Sequence, residues 1–182
     1  MPTITGHVFI ATSLDGYIAR DDGDIGWLHS IPTEGEDHGY QDFMARVDGL
    51  IMGRETFRKV LEFETWPYSK PVVVMSQSLR QEDVPSRLSE TVHVSDQPPD
   101  PLMQSLSVKG WKRAYVDGGQ VIQSFMKAGL IEDLIITRIP ILLGRGRPLF
   151  GPLSRDVRLD HIKTTTFPSG LVQSTYRVRS NP

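Results

Sequence analysis

Blocks of apolar residues recur along the chain at two different spacings, and they predict strands and helices in alternation. An alternating block from Ile4 to Ile10 predicts a strand that ends at Ser13-Leu14-Asp15-Gly16, where Asp-Gly is typical of a turn. The block PVVVM at 71–75 has no polar face, which predicts a strand covered on both sides of a parallel sheet. Further strands are predicted at 49–52, 91–94, 114–116 and 134–143.

Apolar residues at helical spacing predict a helix in each of four gaps between these strands. Thr33-x-x-Glu36 has the spacing of a capping box and predicts the start of the first helix, whose apolar face lies within 40–47. The second helix follows Gly53. Asp100-Pro101 predicts the N-cap and first turn of the third, and Gly129 ends the fourth, which carries Val121, Ile122, Phe125 and Met126.

The pattern changes near the end of the sequence, where strands are no longer separated by helices. Residues 157–166 and 172–178 are strand-like, and Pro168-Ser169-Gly170 between them predicts a hairpin. The alternating part and the hairpin together predict a three-layer α/β fold, with a mostly parallel sheet and antiparallel strands at one edge. Because no repeat or linker interrupts the 182 residues, we expect a single domain over 1–182.

Composition excludes several classes of function. Lys and Arg number 20 against 22 Asp and Glu, a net charge of -2, whereas nucleic-acid binders are usually basic on at least one face. The chain has no cysteine, so thiol catalysis, disulfides and thiolate zinc sites are excluded, and its 5 histidines show no paired metal-binding spacing. Since no apolar run approaches about 20 residues and no signal peptide is apparent, we expect a cytoplasmic protein without a membrane partner.

Three predicted strand ends carry groups that suit a phosphorylated ligand, and the carboxyl ends of parallel strands meet at one crevice. Gly118-Gly119 lies between a strand and a helix, where a diphosphate could approach the backbone amides; a tight turn with positive φ is the alternative. Arg54, in Gly53-Arg54-x-Thr56, places a positive charge at a helix N-terminus, which the helix dipole disfavours by about 0.3–1 kcal/mol. A bound anion would remove this cost; a solvated side chain is the alternative. Ser76-Gln77-Ser78 offers hydroxyl donors, or is simply a polar loop.

In combination these motifs resemble the dihydrofolate reductase-like family, which includes the reductase domain of the riboflavin-pathway deaminase-reductase. The segment ATSLDGYIA at 11–19 resembles the first strand and nicotinamide loop of that family, and 129–150 resembles its late strand and the following loop. The resemblance spans nearly the whole chain. It implies the dihydrofolate reductase-like version of the predicted α/β fold, and a homodimer, because related domains often pair through late strands.

The resemblance also implies NADPH as the cofactor. It places the 2′-phosphate at Arg54 and Ser76, the diphosphate at Thr56 and 118–121, and the nicotinamide beside Ala11 and Ile18. The predicted cofactor residues are Ala11, Ile18, Gly53, Arg54, Thr56, Ser76, Gln77, Gly118, Gly119, Gln120 and Val121. The predicted substrate residues are Ser13 and Trp27; Trp27 resembles a Trp of the folate reductase loop, and core packing is its alternative.

A reductase of this kind also needs a proton source, and three carboxyls are candidates. Asp117 precedes the glycine pair, where riboflavin-type reductases carry an acid that faces the substrate; capping the next helix is the alternative. Asp37 lies near the start of the helix that carries the acid in folate reductases, and stabilising that helix is its alternative. Asp15 is the third candidate.

The leading hypothesis is an NADPH-dependent reductase that transfers a hydride to a C=O or C=N of a small heterocycle, most like 5-amino-6-(5-phosphoribosylamino)uracil reductase. The chain departs from the riboflavin-type pattern at Gly-Arg-Glu-Thr, and KVLEFETWPYSK at 59–70 has no Asn-Pro-x-Leu stretch for the sugar phosphate. A dihydrofolate or pterin reductase, a non-catalytic nucleotide-binding module and a structural dimerisation domain are the alternatives.

Overall fold

The computed structural model describes residues 4–179 and contains the predicted alternation of strands and helices. Within these residues the strands are β1 (Thr5–Ser13), β2 (Tyr17–Ala19), β3 (Gly49–Gly53), β4 (Val72–Met75), β5 (Val92–Ser95), β6 (Arg113–Asp117), β7 (Ile131–Ile139), β8 (Arg147–Pro148), β9 (Leu159–Thr166) and β10 (Val172–Val178). The helices are α1 (Tyr40–Ala45), α2 (Arg54–Leu61), α3 (Pro99–Val108) and α4 (Gly119–Lys127). No helix in this part of the chain is long and apolar enough to cross a membrane.

The main sheet of the described chain has eight strands in the order β5-β4-β3-β6-β1-β7-β10-β9. All pairs from β5 to β7 are parallel, while β10 pairs antiparallel with β7 and with β9. The predicted fold class, a mostly parallel sheet with a C-terminal antiparallel hairpin, is confirmed. Because the parallel strands run in one direction, the carboxyl ends of β1, β3, β4 and β6 lie at the same edge.

Helices cover both faces of the parallel part of the sheet, which explains why its strands lack a polar face. On β3, Ile51 packs on the face covered by α3 and α4, whereas Leu50 and Met52 pack on the face covered by α1 and α2. All three side chains are fully buried. Burying an aliphatic side chain of this size contributes about 1.5–3 kcal/mol, so the strands are held mainly by the two helical layers.

Two predicted helix starts are wrong, and for the first of them a distant contact takes the carboxylate that was expected to cap the helix. The first helix begins at Tyr40, not after Thr33, since the Glu36 carboxylate accepts hydrogen bonds of 2.8 Å from both the amide and the hydroxyl of Ser169 in the C-terminal hairpin. Helix α3 begins at Pro99, so Asp100 lies in its first turn and is not its N-cap.

A small second sheet, formed by β2 and β8, was not predicted. The two strands are antiparallel and very short, and they bring 17–19 beside 147–148. Gly146 makes this contact possible, because a Cβ at that position would lie 2.3 Å from the carbonyl oxygen of Ala19. The strand predicted at 134–143 is observed at Ile131–Ile139, and beyond it the chain turns to reach β8.

Candidate active site

The carboxyl ends of β3, β4 and β6 open into one cavity of about 1110 Å³. This volume slightly exceeds the roughly 300–1,000 Å³ of typical small-molecule sites, so it has room for more than one compact ligand. All the predicted cofactor residues line it: Ala11, Ile18, Gly53, Arg54, Thr56, Ser76, Gln77, Gly118, Gly119, Gln120 and Val121. The three strand ends that the sequence singled out therefore lie in one crevice.

The glycine pair lies at the start of α4, where there is little room for a side chain, and the positive φ of Gly118 favours glycine. Gly118 is the N-cap, with φ 92° and ψ 137°, and a Cβ there would lie 2.5 Å from Thr56 Oγ1. A Cβ on Gly119 would lie 2.8 Å from Ile18 Cδ1. The two readings of this motif are thus compatible, because the turn needs a positive φ and also leaves the amides of a helix N-terminus open to an anion.

A second group of side chains that suits an anion lies where β3 and β4 end. Arg54 is the first residue of α2, and its Nη1 donates a 2.5 Å hydrogen bond to Ser78 Oγ. Ser76 Oγ accepts hydrogen bonds from the amides of Ser78, at 3.2 Å, and Leu79, at 2.9 Å. Those bonds use the oxygen of Ser76 and leave its hydroxyl hydrogen to donate, so a guanidinium and a hydroxyl are both available to a phosphate.

Asp117 lies at the end of β6, directly before the glycine pair, and also lines the cavity. Its Oδ1 accepts a 2.9 Å hydrogen bond from the Gly118 amide, and its side chain is partly exposed to the cavity. Burial raises the pKa of this carboxyl to about 6, an effect larger than the lowering by the Gly118 hydrogen bond. A carboxyl with such a pKa carries its proton in about a tenth of molecules at pH 7, far more than an ordinary Asp, as a general acid requires.

The raised pKa of Asp117 makes a prediction about stability. The folded state binds this proton more tightly than the unfolded chain, so the associated stability is complete below pH 3.8 and is lost as the pH rises through about 6. An ionised Asp117 then destabilises the fold by on the order of 3 kcal/mol. We expect Asp117→Asn to raise Tm relative to the native protein at about pH 8 but hardly at about pH 4.

The control for this measurement is Asp100→Asn, which changes an exposed carboxyl outside the cavity. Thermal unfolding of the native protein and both variants at several pH values gives the comparison. A difference in Tm between Asp117→Asn and the native protein that stays constant with pH would contradict the raised pKa.

Four other predicted site residues do not line the cavity: Ser13, Asp15, Trp27 and Asp37. Asp15 accepts hydrogen bonds from Ser13 Oγ at 2.6 Å and from the amides of Leu143 and Gly144 at 3.1 and 2.7 Å, and the Ser13 bond is the main cause of its lowered pKa. Ser13 is itself fully buried. Asp15 therefore fastens the turn after β1 to the segment before β8.

Asp37 and Trp27 also have contacts that favour their alternative, structural readings. Asp37 is exposed, and its Oδ1 accepts a 2.8 Å hydrogen bond from the Gly39 amide just before α1. Trp27 is 4% exposed and packs with Ile139 and Leu171 in an apolar cluster. These contacts account for Asp37 and for the packing of the Trp27 ring, whose buried indole N–H has no hydrogen-bond partner among the described residues.

The cavity also contains residues that the sequence reasoning did not assign to the site, notably Lys59, Tyr68 and Arg147. Tyr68 lies in the irregular segment between α2 and β4, where no periodicity marks which side chains point inward. Its one signal was Trp66-Pro67-Tyr68, an aromatic sequence where the riboflavin-type pattern has a sugar-phosphate motif. Among the residues from 4 to 179, no cluster of three His, Asp or Glu could hold a metal ion.

Comparison with known proteins identifies relatives over almost the whole chain. The sequence profile of the RibD C-terminal domain matches residues 5–173. The uncharacterized protein YwjB of Bacillus subtilis (strain 168) is 36% identical over 155 residues, which cover 84% of this chain and 86% of YwjB. YyaP of the same organism, also uncharacterized, is 26% identical over 180 residues, or 92% of this chain and 91% of YyaP.

Solved structures agree with this result. A protein from Shewanella sp. PV-4, named as a candidate riboflavin biosynthesis protein, is 44% identical with a TM-score of 0.91 and covers 97% of this chain and 100% of its own. The deaminase/5-amino-6-(5-phosphoribosylamino)uracil reductase of Thermotoga maritima shares the fold, with a TM-score of 0.72, 14% identity and coverage of 97% of this chain and 57% of that one. By its sequence and its fold, the chain belongs to the RibD C-terminal domain family.

Proposed function

We propose that the protein is an NADPH-dependent reductase that transfers a hydride to a C=O or C=N bond of a small heterocyclic substrate. The observation that carries this proposal is that Asp117 lines the same cavity as two groups that suit phosphates, Gly118-Gly119 and Arg54 with Ser76. Membership of the RibD C-terminal domain family supports a reductase of the riboflavin-pathway type.

The residues of the cavity fit a dinucleotide phosphate. The open glycine pair, which a Cβ would obstruct, suits the diphosphate, together with Thr56 and the amides of Gln120 and Val121 at the start of α4. Arg54 and Ser76 suit a 2′-phosphate, since both can donate to it. Ala11 and Ile18 are apolar and suit the nicotinamide face, and bound NADPH would supply the hydride.

Asp117 completes the reaction as the proton donor. Addition of a hydride to the carbon of a C=O or C=N bond leaves a negative charge on the heteroatom, which must take one proton. The protonated carboxyl of Asp117 gives it, and the resulting carboxylate recovers a proton from water. Burial supports this role, because it raises the pKa of the Asp117 carboxyl to about 6 and so keeps the acid form populated.

The first substrates to assay are pyrimidines and pterins. Among the pyrimidines, 5-amino-6-(5-phosphoribosylamino)uracil is named for the reductase of Thermotoga maritima, which shares this fold.

A second copy of the chain is the proposed protein partner, because β9 lies at the edge of the sheet and, in the described chain, pairs with β10 on one side alone.

Cofactor preference tests the proposal. NADPH should bind at least about tenfold more tightly than NADH, because each charge-assisted bond to the 2′-phosphate is worth roughly 1.5–3 kcal/mol. Arg54→Ala should remove this preference by weakening NADPH binding while leaving NADH binding unchanged. Quenching of the fluorescence of the tryptophans, Trp27, Trp66 and Trp111, measures both affinities.

Arg58→Ala is the matched control. Arg54 and Arg58 both form an ion pair with Glu55. Arg58 lies one turn further along α2 and outside the cavity, so its removal should leave both affinities unchanged. Equal affinity for NADPH and NADH would reject the 2′-phosphate site but keep a dinucleotide site. Failure of both cofactors to bind would reject the proposed reductase.

A further inference from the structure

Two carboxylates lie beside the proposed 2′-phosphate site, which is formed by Arg54 and Ser76. Glu55 and Asp96 line the same cavity as these two residues. An acid next to a bound phosphate raises the free energy of the complex, because like charges repel. The preference of the site for a phosphate therefore depends on the balance between the guanidinium and the two acids.

Glu55 is a direct partner of Arg54. It follows Arg54 at the start of α2, and its Oε1 accepts a 3.1 Å hydrogen bond from Arg54 Nε. The same oxygen lies 3.4 Å from Arg58 Nη1. In the described chain the Arg54 guanidinium makes one other side-chain hydrogen bond, from Nη1 to Ser78 Oγ. A phosphate bound to Arg54 would therefore share the guanidinium with the Glu55 carboxylate.

Asp96 approaches the site from the neighbouring strand. Strands β4 and β5 are parallel, and Met75 pairs with Ser95. The next residues along, Ser76 and Asp96, therefore lie side by side where the two strands end. The Ser76 amide donates to the Ser95 carbonyl at 2.9 Å, and Gln77 Nε2 donates to the Asp96 carbonyl at 2.8 Å. The Asp96 side chain is exposed, and among residues 4–179 its carboxylate has no hydrogen-bond or ion-pair partner.

Carboxylates in these positions discriminate between two cofactors that differ at a single group. A phosphate monoester carries a charge of about −1.5 to −2 at pH 7, whereas NADH has an uncharged hydroxyl where NADPH has its 2′-phosphate. In dinucleotide-binding sites an acid near the adenosine ribose favours the hydroxyl, and an arginine accommodates the phosphate. This cavity contains both kinds of residue.

We propose that Glu55 and Asp96 are specificity-determining residues that lower the preference of the site for NADPH over NADH. Arg54 attracts the 2′-phosphate, and the two carboxylates repel it, so the observed preference is the difference between these effects. The inference rests on the proposed NADPH site and deepens it, because it says which residues limit the discrimination between the two cofactors.

Neutral variants of the two acids test the inference by increasing the preference for NADPH. We expect Glu55→Gln and Asp96→Asn each to raise the ratio of NADPH affinity to NADH affinity about three- to tenfold. The affinity for NADH should stay within about twofold of the native value, because the removed charge faces a hydroxyl in that complex. Calorimetric titration measures both affinities. Glu64→Gln and Asp100→Asn are the controls, since both change exposed carboxylates outside the cavity.

Salt and a charge-retaining variant show whether charge is the cause. Repulsion between exposed charges is screened by salt, so the gain in the neutral variants should shrink between about 0.05 and 0.5 M NaCl. Asp96→Glu keeps the charge and should leave the ratio within about twofold of native. A gain of the same size at both salt concentrations would contradict an electrostatic origin.

Ligands without the nicotinamide locate the effect at the adenosine end of the cofactor. The nucleotides 2′,5′-ADP and 5′-ADP differ by the 2′-phosphate alone. Their affinity ratio should therefore respond to Glu55→Gln and Asp96→Asn in the same direction as the ratio for NADPH and NADH. A response of the whole cofactors without a response of these two nucleotides would overturn the placement of the acids beside the 2′-phosphate.

The possible outcomes separate this inference from the proposed function. An unchanged ratio in either neutral variant, with the native preference for NADPH intact, would overturn the inference for that residue. Weaker NADPH binding in Glu55→Gln would also overturn it and would mean that Glu55 orients Arg54 for the phosphate. Failure of the native protein and of both variants to distinguish NADPH from NADH would reject the 2′-phosphate site itself, and this inference with it.

Discussion

Replacing Asp117 by Asn should lower kcat by about 10² to 10⁴, the usual contribution of a positioned general acid. Asn has nearly the same shape, and its side-chain oxygen can still accept the hydrogen bond from the Gly118 amide, so the turn into α4 is retained. What the variant loses is the proton that the heteroatom needs when the hydride arrives. The affinity for NADPH should therefore stay within about twofold of the native value, because no cofactor group depends on that proton.

The pH dependence of the same enzyme makes this prediction specific. In the native protein kcat/KM should fall as the pH rises above about 6, because the acid form of Asp117 is then lost. The residual activity of Asp117→Asn should lack this decrease. Asp37→Asn is the informative comparison, since Asp37 is exposed and bonded to the Gly39 amide, and its rate should remain close to native. A native rate in Asp117→Asn would mean that the proton comes from another group.

Replacing Gly118 by Val should reduce NADPH affinity at least a hundredfold, equivalent to about 2.7 kcal/mol. The residue has φ 92° and ψ 137°, where a β-branched side chain is strained by about 1–3 kcal/mol. Its Cβ would also lie 2.5 Å from Thr56 Oγ1. Thr56 could relieve that clash by moving its hydroxyl, but the hydroxyl is then lost to the diphosphate. Thermal unfolding and NADPH titration of the purified variant measure the two effects.

Gly110→Val is the matched control for the backbone strain. Gly110 has φ 91°, almost the same as Gly118, but a Cβ there meets nothing within 4 Å, and the residue lies outside the cavity. We expect this control to lower Tm while leaving NADPH affinity unchanged. If both variants bound NADPH equally well, the glycine pair would be a turn without a role in cofactor binding.

The sequence predicted the fold well where burial alone decides the structure. The block PVVVM has no polar side chain to place in water, so β4 could only be a covered strand, and the structure places it there. The errors fall where distant residues compete. Glu36 has the spacing of a capping box, yet it binds Ser169, and nothing within 33–40 could indicate that partner. The pairing of β2 with β8 depends in the same way on residues about 130 positions apart.

The clustering of the proposed cofactor residues in one cavity was predictable, whereas Tyr68 and the other unassigned cavity residues were much less so. Glycines, Arg54 and Ser76 lie at strand ends, and a parallel sheet brings such ends together whatever the details of the loops. Tyr68 instead lies in an irregular segment, so neither a helical nor a strand period indicates where it points. Asp15 was a reasonable candidate acid by residue type. Its carboxylate, however, accepts hydrogen bonds from the amides of Leu143 and Gly144, which are distant in sequence.

The place of β1 in the sheet also bears on how the chain folds. This strand lies between β6 and β7. Its first neighbour in the sheet is β6, where Thr5 pairs with Arg113, about 100 residues later in the sequence. Bringing such distant segments together costs chain entropy before any contact rewards it, and proteins dominated by these contacts fold slowly. During synthesis the β1 segment remains without its sheet partners until β6 and β7 have been made. Until that point its apolar residues are accessible to chaperones.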